Sequence, residues 1–483
     1  MSSYGLYQPF FLIACTESTK LLHNQNPIVL QRRRLCLSYK KNSHQFVPKA
    51  ASTSVGGSGA DYSEQLLGAT PKQKKQRIAG VDQDELKDPL VLADPDSCFC
   101  EFKGVQIHHK VCNAESPAQD SLQDEISSRF PDQTKKVGLP MILLHGFGAS
   151  VFSWDRVMKP LAQVTGSKVL AFDRPAFGLT SRDSFEHSSP GSGDAKPLNP
   201  YSMIFSVLIT IYFINSLAAE KAILVGHSAG SLIAVQTYFE APERIAALVL
   251  VAPAILGPLA LRKPVKENQY GRENLIQEDR SNSNIHGSPI TRFFSILSKV
   301  SKHIVQATMH LAKGMADMLS SLYKKALSAF LRSAIGVMLV RMVIDRFGIP
   351  AIRNSWFDSK QVTDHVLRGY TKPLRVKGWD RALVEFTAAM LADPMSETKP
   401  PLTKRLHEIS CPVLIVTGDS DRLVPPWNSK RLSQAIPGSV LEVIKDCGHL
   451  PQEERPEEFV SVVEEFLQRI FGGLEVQSLQ PAA

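Results

Sequence analysis

Ser228 is the residue whose surroundings best equip it for chemistry. It lies in Gly226-His227-Ser228-Ala229-Gly230, after a short apolar run, Ala222 to Val225, and before Ser231 to Phe239, which is rich in Ala, Leu and Ile. The first run reads as a buried strand and the second as a helix. A serine on a tight turn between them matches a nucleophile elbow, which holds a hydroxyl in a strained, exposed position at a strand end. Bulk at Gly226 or Gly230 would collide with the neighbouring strand or helix, so both flanking positions are small. The helix that begins at the serine also offers the backbone N–H of Ala229 to a negative charge developing beside it. A serine hydroxyl attacks effectively only when a base takes its proton. A base, and an acid to orient it, must therefore come from elsewhere in the chain. The pentapeptide alone also occurs by chance in loops, so the surrounding elements decide.

Those elements alternate between strand and helix. Met141 to Leu144 is an apolar strand running into His145-Gly146-Phe147-Gly148, with a helix expected from Phe152 to Gln163. Lys168 to Phe172 is a second strand, ending in Asp173-Arg174-Pro175-Ala176-Phe177-Gly178. Asn199-Pro200 offers an N-cap and a first-turn proline for a helix over Tyr201 to Ala219. Further apolar strands are expected at Ala247 to Ala252, Val413 to Thr417 and Val440 to Ile444. Continuous apolar strands alternating with helices predict a parallel sheet covered on both faces. Before them, Phe99 to Val111 alternates around Gly104 like a hairpin of two edge strands, in which His108 and His109 are ordinary strand residues facing opposite ways.

Taken together, these motifs resemble the α/β-hydrolase superfamily. The resemblance rests on His145-Gly146-Phe147, Asp173-Arg174-Pro-Ala-Phe-Gly, Gly-His-Ser-Ala-Gly, Gly418-Asp419-Ser420-Asp421-Arg422 and Gly448-His449, which run in family order from residue 98 to about 472. It implies an α/β fold with a mostly parallel eight-stranded sheet, helices on both faces and a large helical cap inserted after the sixth strand. It also makes His449 the base for Ser228. Asp421 is the orienting acid by the family's G-x-x-D spacing, with Asp419 as its competitor two residues earlier. Phe147 becomes the second oxyanion donor through its backbone N–H, beside Ala229. Phe147 and His227 are expected to line the pocket, His227 in a structural capacity. The chain order Ser228, Asp421, His449 is that of the fold.

The resemblance divides the chain into core at 98–256 and 401–473, a cap at 257–400 and a tail at 474–483. Residues 1–60 hold seven Lys/Arg against the single acid Glu17 and are rich in Ser, Thr, Asn and Gln, the composition of an organelle transit peptide. A chloroplast is the expected destination and a mitochondrion the alternative; 61–97 read as linker. Of seven cysteines, five lie beyond the leader without paired spacing, which suits reduced thiols. Cys98 and Cys100 share one face of a strand and read as packing residues. No phosphate loop, metal cluster or dinucleotide fingerprint is present, so no cofactor is expected.

The formal net charge of +8 is concentrated. From Ile290 to Arg346 there are nine Lys/Arg against Asp317 and Asp345, interleaved with Leu, Ile, Met and Phe at helical spacing. With its charge set on a mainly aliphatic helical insertion, this is not the pattern of a nucleic-acid surface; it reads as a basic amphipathic surface for an anionic membrane, or as a solvated face. The segment 201–219, uncharged and apolar on two sides, is a second place where lipid could touch unless the cap covers it. The expected protein is thus peripheral or monotopic on an envelope or thylakoid membrane, its oligomeric state open.

A serine nucleophile disfavours epoxide hydrolysis and dehalogenation, which use a carboxylate in this fold; esters, thioesters and the carbon–carbon bonds of certain diketones stay open. The tract Gly369-Tyr370-Thr371-Lys372-Pro373-Leu374-Arg375, with Trp379 and Glu385-Phe386-Thr387, resembles plastid-type plant and cyanobacterial members. That resemblance implies a long-chain or prenyl ester substrate of the chlorophyll or phytyl kind, with phytol passing to tocopherol. A non-catalytic ligand receptor of the same fold and a carbon–carbon bond hydrolase are the alternatives.

Overall fold

In a computed structural model, the residues described are 76–114, 136–182, 198–257, 313–315, 318–391 and 401–472. The leader, the polar stretch at 262–290 and the tail lie outside them. The strands are β1 (Cys98–Phe102), β2 (Val105–Cys112), β3 (Met141–Leu144), β4 (Val169–Phe172), β5 (Ala222–His227), β6 (Ile245–Val251), β7 (Val413–Gly418) and β8 (Val440–Ile444). They form one eight-stranded sheet in the order β8-β7-β6-β5-β3-β4-β2-β1. All neighbours from β8 to β4 are parallel; β2 and β1 join antiparallel. β3 to β7 read as unbroken apolar runs because both faces are covered. Every residue of β3 and β4 is buried.

The helices α1 (Met158–Thr165), α2 (Met203–Ser216), α3 (Ala229–Glu240), α7 (Pro426–Ala435) and α8 (Pro456–Phe471) flank the sheet. Between β6 and β7 the chain adds α4 (Ala334–Ser355), α5 (Asp364–Thr371) and α6 (Trp379–Leu391). One core lies between the sheet, α2 and α3 around Phe172, Phe205 and Phe213, and another between the sheet, α1 and α8 around Trp154, Phe459 and Leu467.

Four expectations need correction. The β1–β2 hairpin turns on Lys103 and Gly104, both at positive φ, but only β1 is an edge strand, because β2 also pairs with β4. The helix expected from Phe152 is a 3₁₀ turn, Val151–Trp154, and α1 starts at Met158. Pro160 has no N–H to continue a helix begun at Phe152, whereas three residues into a new helix none is needed. α2 is capped by Ser202, whose hydroxyl accepts from Phe205 N at 3.3 Å; Asn199 instead caps the turn before it by accepting from Tyr201 N. Finally, residues 76–97 are not a linker. They form a small hairpin, Arg77–Ile78 with Val81–Asp82, laid against the insertion: Ala79 N donates to Asp345 of α4 at 2.8 Å, and Trp379 Nε1 donates to Gln83 Oε1 at 2.9 Å.

On α2, Phe205, Ile209 and Phe213 are buried, while Ile204, Ile211 and Tyr212 are half-buried against the same core, the Tyr212 ring 5.1 Å from Phe102 of β1. That packing gives both apolar sides of α2 protein partners.

Candidate active site

Strand ends bring the site together, because β3, β5, β7 and β8 all point their carboxyl ends at one edge of the sheet. Ser228 follows β5 with φ 50° and ψ −117°, a strained backbone for a residue with a side chain. The glycines explain how it is held. A Cβ on Gly230 would come within 2.1 Å of the Leu144 carbonyl oxygen, and one on Gly226 within 2.6 Å of Ser231 Cα. Ser228 N donates to Val251 O at 2.8 Å, pinning the turn to β6.

After β7, Asp421 turns back into the protein with its side chain fully buried. Its Oδ2 accepts from His449 Nδ1 at 2.8 Å, while Oδ1 accepts from the N–H groups of Leu423 and Val424. Asp419, the competitor, faces elsewhere: its Oδ1 accepts from Cys447 N, tying the β7 and β8 loops together. The His449 proton is thereby placed on Nδ1, leaving Nε2 as the basic nitrogen.

His227 joins the two halves. It immediately precedes Ser228, its Nε2 donates to His449 O at 2.9 Å, and the two rings lie 4.9 Å apart. Burial, then the neighbouring His449, holds it well below the usual imidazole range, so it is a neutral donor. It was expected in a structural capacity beside the pocket; it is 3% exposed and that capacity is the hydrogen bond to the His449 carbonyl. His449 N also donates to Ser355 O, at the end of α4.

The oxyanion side is built from β3. Gly146 runs close to Ser228, since a Cβ there would meet Ser228 Cβ at 3.1 Å. The Gly146 carbonyl accepts from His145 Nδ1 at 2.7 Å and from Arg174 Nη2 at 3.3 Å. That carbonyl belongs to the same peptide unit as the Phe147 N–H, so both donors orient and polarise this N–H. His145 Nε2 in turn accepts from Arg174 N at 3.0 Å, and burial, then Arg174, lowers the ring to about 3. Arg174 is 3% exposed and lies over Phe177, 5.1 Å from its centroid.

Neither this role for Arg174 nor the buried network beside it was legible in the sequence. His108, read as an ordinary strand residue, gives Nδ1 to Asp173 Oδ2 at 2.6 Å. Asp173 also accepts from Val151 N and Leu179 N. Burial would raise this carboxyl, but His108 and these donors hold it down at about 2. A hydrogen-bonded His on the neighbouring strand but 65 positions away in sequence leaves no mark on local periodicity; the one signal was the polar Asp-Arg pair ending an apolar strand.

An aromatic wall stands over the oxyanion side. The Phe147 ring is 5.4 Å from Phe177 and 6.0 Å from Phe386 of α6, and Phe177 and Phe386 are 4.8 Å apart. Among the described residues, no group of three or more His, Cys, Asp or Glu is placed to hold a metal ion.

The insertion is also tied to the loop of the base. Glu453, four residues after His449, accepts from Tyr370 Oη of α5 at 2.5 Å, and the Glu453 carbonyl accepts from Arg156 Nη1. Burial pushes the Glu453 carboxyl up to about 8, against the Tyr370 hydrogen bond, which pulls it down. A raised acid favours the folded state fully below its unfolded value near 4.5 and loses that contribution as pH climbs through 8. The melting temperature should therefore fall between pH 5 and 9 more steeply in wild type than in Glu453→Gln, which has no proton to lose. Parallel melting curves across that range would show the carboxyl to be ionised when folded.

This fold and this edge of the sheet define a hydrolase architecture. Residues 141–462 match the family model described as alpha/beta hydrolase family, and the chain belongs to that family. It is 24% identical over 332 residues to the 2-hydroxy-6-oxononadienedioate/2-hydroxy-6-oxononatrienedioate hydrolase of Klebsiella pneumoniae subsp. pneumoniae, covering 68% of this chain and 87% of that one. It is 34% identical over 118 residues to abhydrolase domain-containing protein abhd-5.2 of Caenorhabditis elegans, a match spanning 24% of either protein. Among solved structures, a meta-cleavage product hydrolase from Pseudomonas fluorescens aligns over 77% of this chain and 98% of its own, at 19% identity and a TM-score of 0.44.

Proposed function

We propose that this protein is a serine hydrolase of carboxylic esters, acting through an acyl-enzyme. The observation that carries the reading is the Asp421–His449 pair, tied through the His449 carbonyl to His227, the residue that immediately precedes a strained Ser228. Ser228 Oγ attacks the ester carbonyl carbon as His449 Nε2 takes its proton. The resulting oxyanion accepts from the N–H groups of Phe147 and Ala229. Collapse expels the alcohol, which receives the proton from His449. Water, deprotonated by the same nitrogen, then attacks the acyl carbonyl and releases the acid and Ser228.

For the substrate we infer an uncharged ester with a long-chain or prenyl group. The wall of Phe147, Phe177 and Phe386 favours it, since apolar and aromatic linings select apolar ligands. The resemblance of the 369–387 tract to plastid-type members supports a phytyl or chlorophyll-type ester at a chloroplast membrane, with phytol supplied to tocopherol. Carbon–carbon bond hydrolysis is the second reading, favoured by the similarity to the Klebsiella hydrolase. That relative's named substrate is a dicarboxylate, whereas the Arg174 guanidinium beside this site is turned onto the Gly146 carbonyl.

Purified wild type on p-nitrophenyl esters of rising chain length, chlorophyll and a dienedioate ring-cleavage product separates the two. The expected result is a kcat/KM at least tenfold higher for long-chain than for short-chain esters, and turnover of chlorophyll. Turnover of the dienedioate alone would overturn the ester assignment.

A further inference from the structure

Eleven of the nineteen exposed large apolar side chains among the described residues fall between Met315 and Phe347, in the insertion. They form two stripes. On the helical segment ending at Arg332, Met315, Leu319, Leu322, Tyr323 and Phe330 lie on one side; on α4, Ile335, Met338 and Met342 recur at helical spacing. Tyr323 is 67% exposed and Met338 60%. The two helices meet at a bend of 74° at Ser333, and no single helix among the described residues is long and apolar enough to cross a bilayer. An apolar surface of this extent on a soluble face marks a docking site.

Charge says what docks there. The opposite sides are pinned to α6: Arg332 makes paired hydrogen bonds to Glu385, and Arg341 Nε lies 3.1 Å from Asp380. Lys325, Arg346 and Arg353 stay exposed around the stripes. On α4 the order along one face is apolar first, Ile335 to Met342, then basic, Arg346 and Arg353. A helix that dips its first turns into the acyl boundary leaves its later cations at the phosphate level. We propose that the bent pair formed by this segment and α4 is a monotopic docking surface for an anionic lipid bilayer. The apolar stripes enter the interface, and Lys325, Arg346 and Arg353 meet the headgroups. It carries the enzyme, with α6 and its Phe386 over the site, to where an apolar ester is dissolved, and so rests on the proposed substrate class for its purpose but not for the binding itself.

The test is flotation of the full chain with phosphatidylcholine vesicles, with and without about one-third phosphatidylglycerol, at low and high salt. Wild type and Ser228→Ala should both float with anionic vesicles, and high salt should release part of each, because charge supplies only part of the attraction. The Met338→Asp/Met342→Asp pair should bind at least tenfold more weakly, yet hydrolyse a short soluble ester at the wild-type rate and melt at the wild-type temperature. Arg346→Glu should weaken binding to anionic vesicles while leaving neutral ones unchanged. Equal flotation of wild type and the aspartate pair overturns the proposal. So does a wild type that ignores vesicles, whether a second copy covers the stripes, seen as a dimer that the aspartate pair dissociates, or residues 258–312 do, seen as a monomer. Flotation without turnover would leave the surface standing and remove the hydrolase assignment.

Discussion

Ser228→Ala is expected to lower kcat by about six orders of magnitude, the scale seen when a serine nucleophile backed by a histidine is removed. The loss should be chemical and not structural. The strained φ of 50° belongs to the backbone, and the bonds that hold the turn are backbone bonds: Ser228 N to Val251 O, and Ser231 N and Ala254 N to Ser228 O. Alanine keeps all of them and carries the same Cβ. The melting temperature should stay within a few degrees of wild type and KM should change little, because the aromatic wall is untouched. A fluorophosphonate probe should label wild type and not the variant. Undiminished hydrolysis by the variant would remove the serine mechanism. Wild type that resists the probe and turns nothing over would point to the ligand receptor.

The contrast between what was and was not legible follows from range. β3 to β8 could be placed to within a residue or two because each is a short apolar run bounded by turn residues, and such runs are local. The elbow was legible because Gly226, Ser228 and Gly230 fall within five residues, although the atom that keeps Gly230 small, the Leu144 carbonyl oxygen, comes from β3. The strap at 76–97 was not, because its partners lie far along the chain; Ala79 meets Asp345, 266 positions away. Arg174 was read as part of a motif without a task, since the task is to grip a carbonyl twenty-eight residues earlier. His227 is read as structural from its place beside Ser228, but its partner, the His449 carbonyl, lies 222 positions away and leaves no local mark. Spacing thus ranked the two carboxylates in favour of Asp421, whereas only geometry shows what the other does.

That difference makes Asp421→Asn the second large effect, with Asp419→Asn as its control. In wild type the carboxylate accepts the Nδ1 proton of His449 at 2.8 Å and so leaves Nε2 free to take the serine proton. An asparagine can keep its Oδ1 bonds from the N–H groups of Leu423 and Val424, so the loop should hold its shape. Its amide, however, donates toward Nδ1 and drives the imidazole proton to Nε2, where it blocks the base. The imidazolium formed during attack also loses its buried countercharge. Together these should lower kcat by roughly four orders of magnitude with KM little changed. At Asp419 the oxygen that accepts from Cys447 N survives the change to asparagine, and the residue makes no contact with the base, so kcat should fall by no more than a few-fold. Were Asp419→Asn the inactive variant and Asp421→Asn the active one, the hydrogen bond between Asp421 and His449 would be structural only, and the ring would draw its orientation from its backbone anchors at Ser355 and His227.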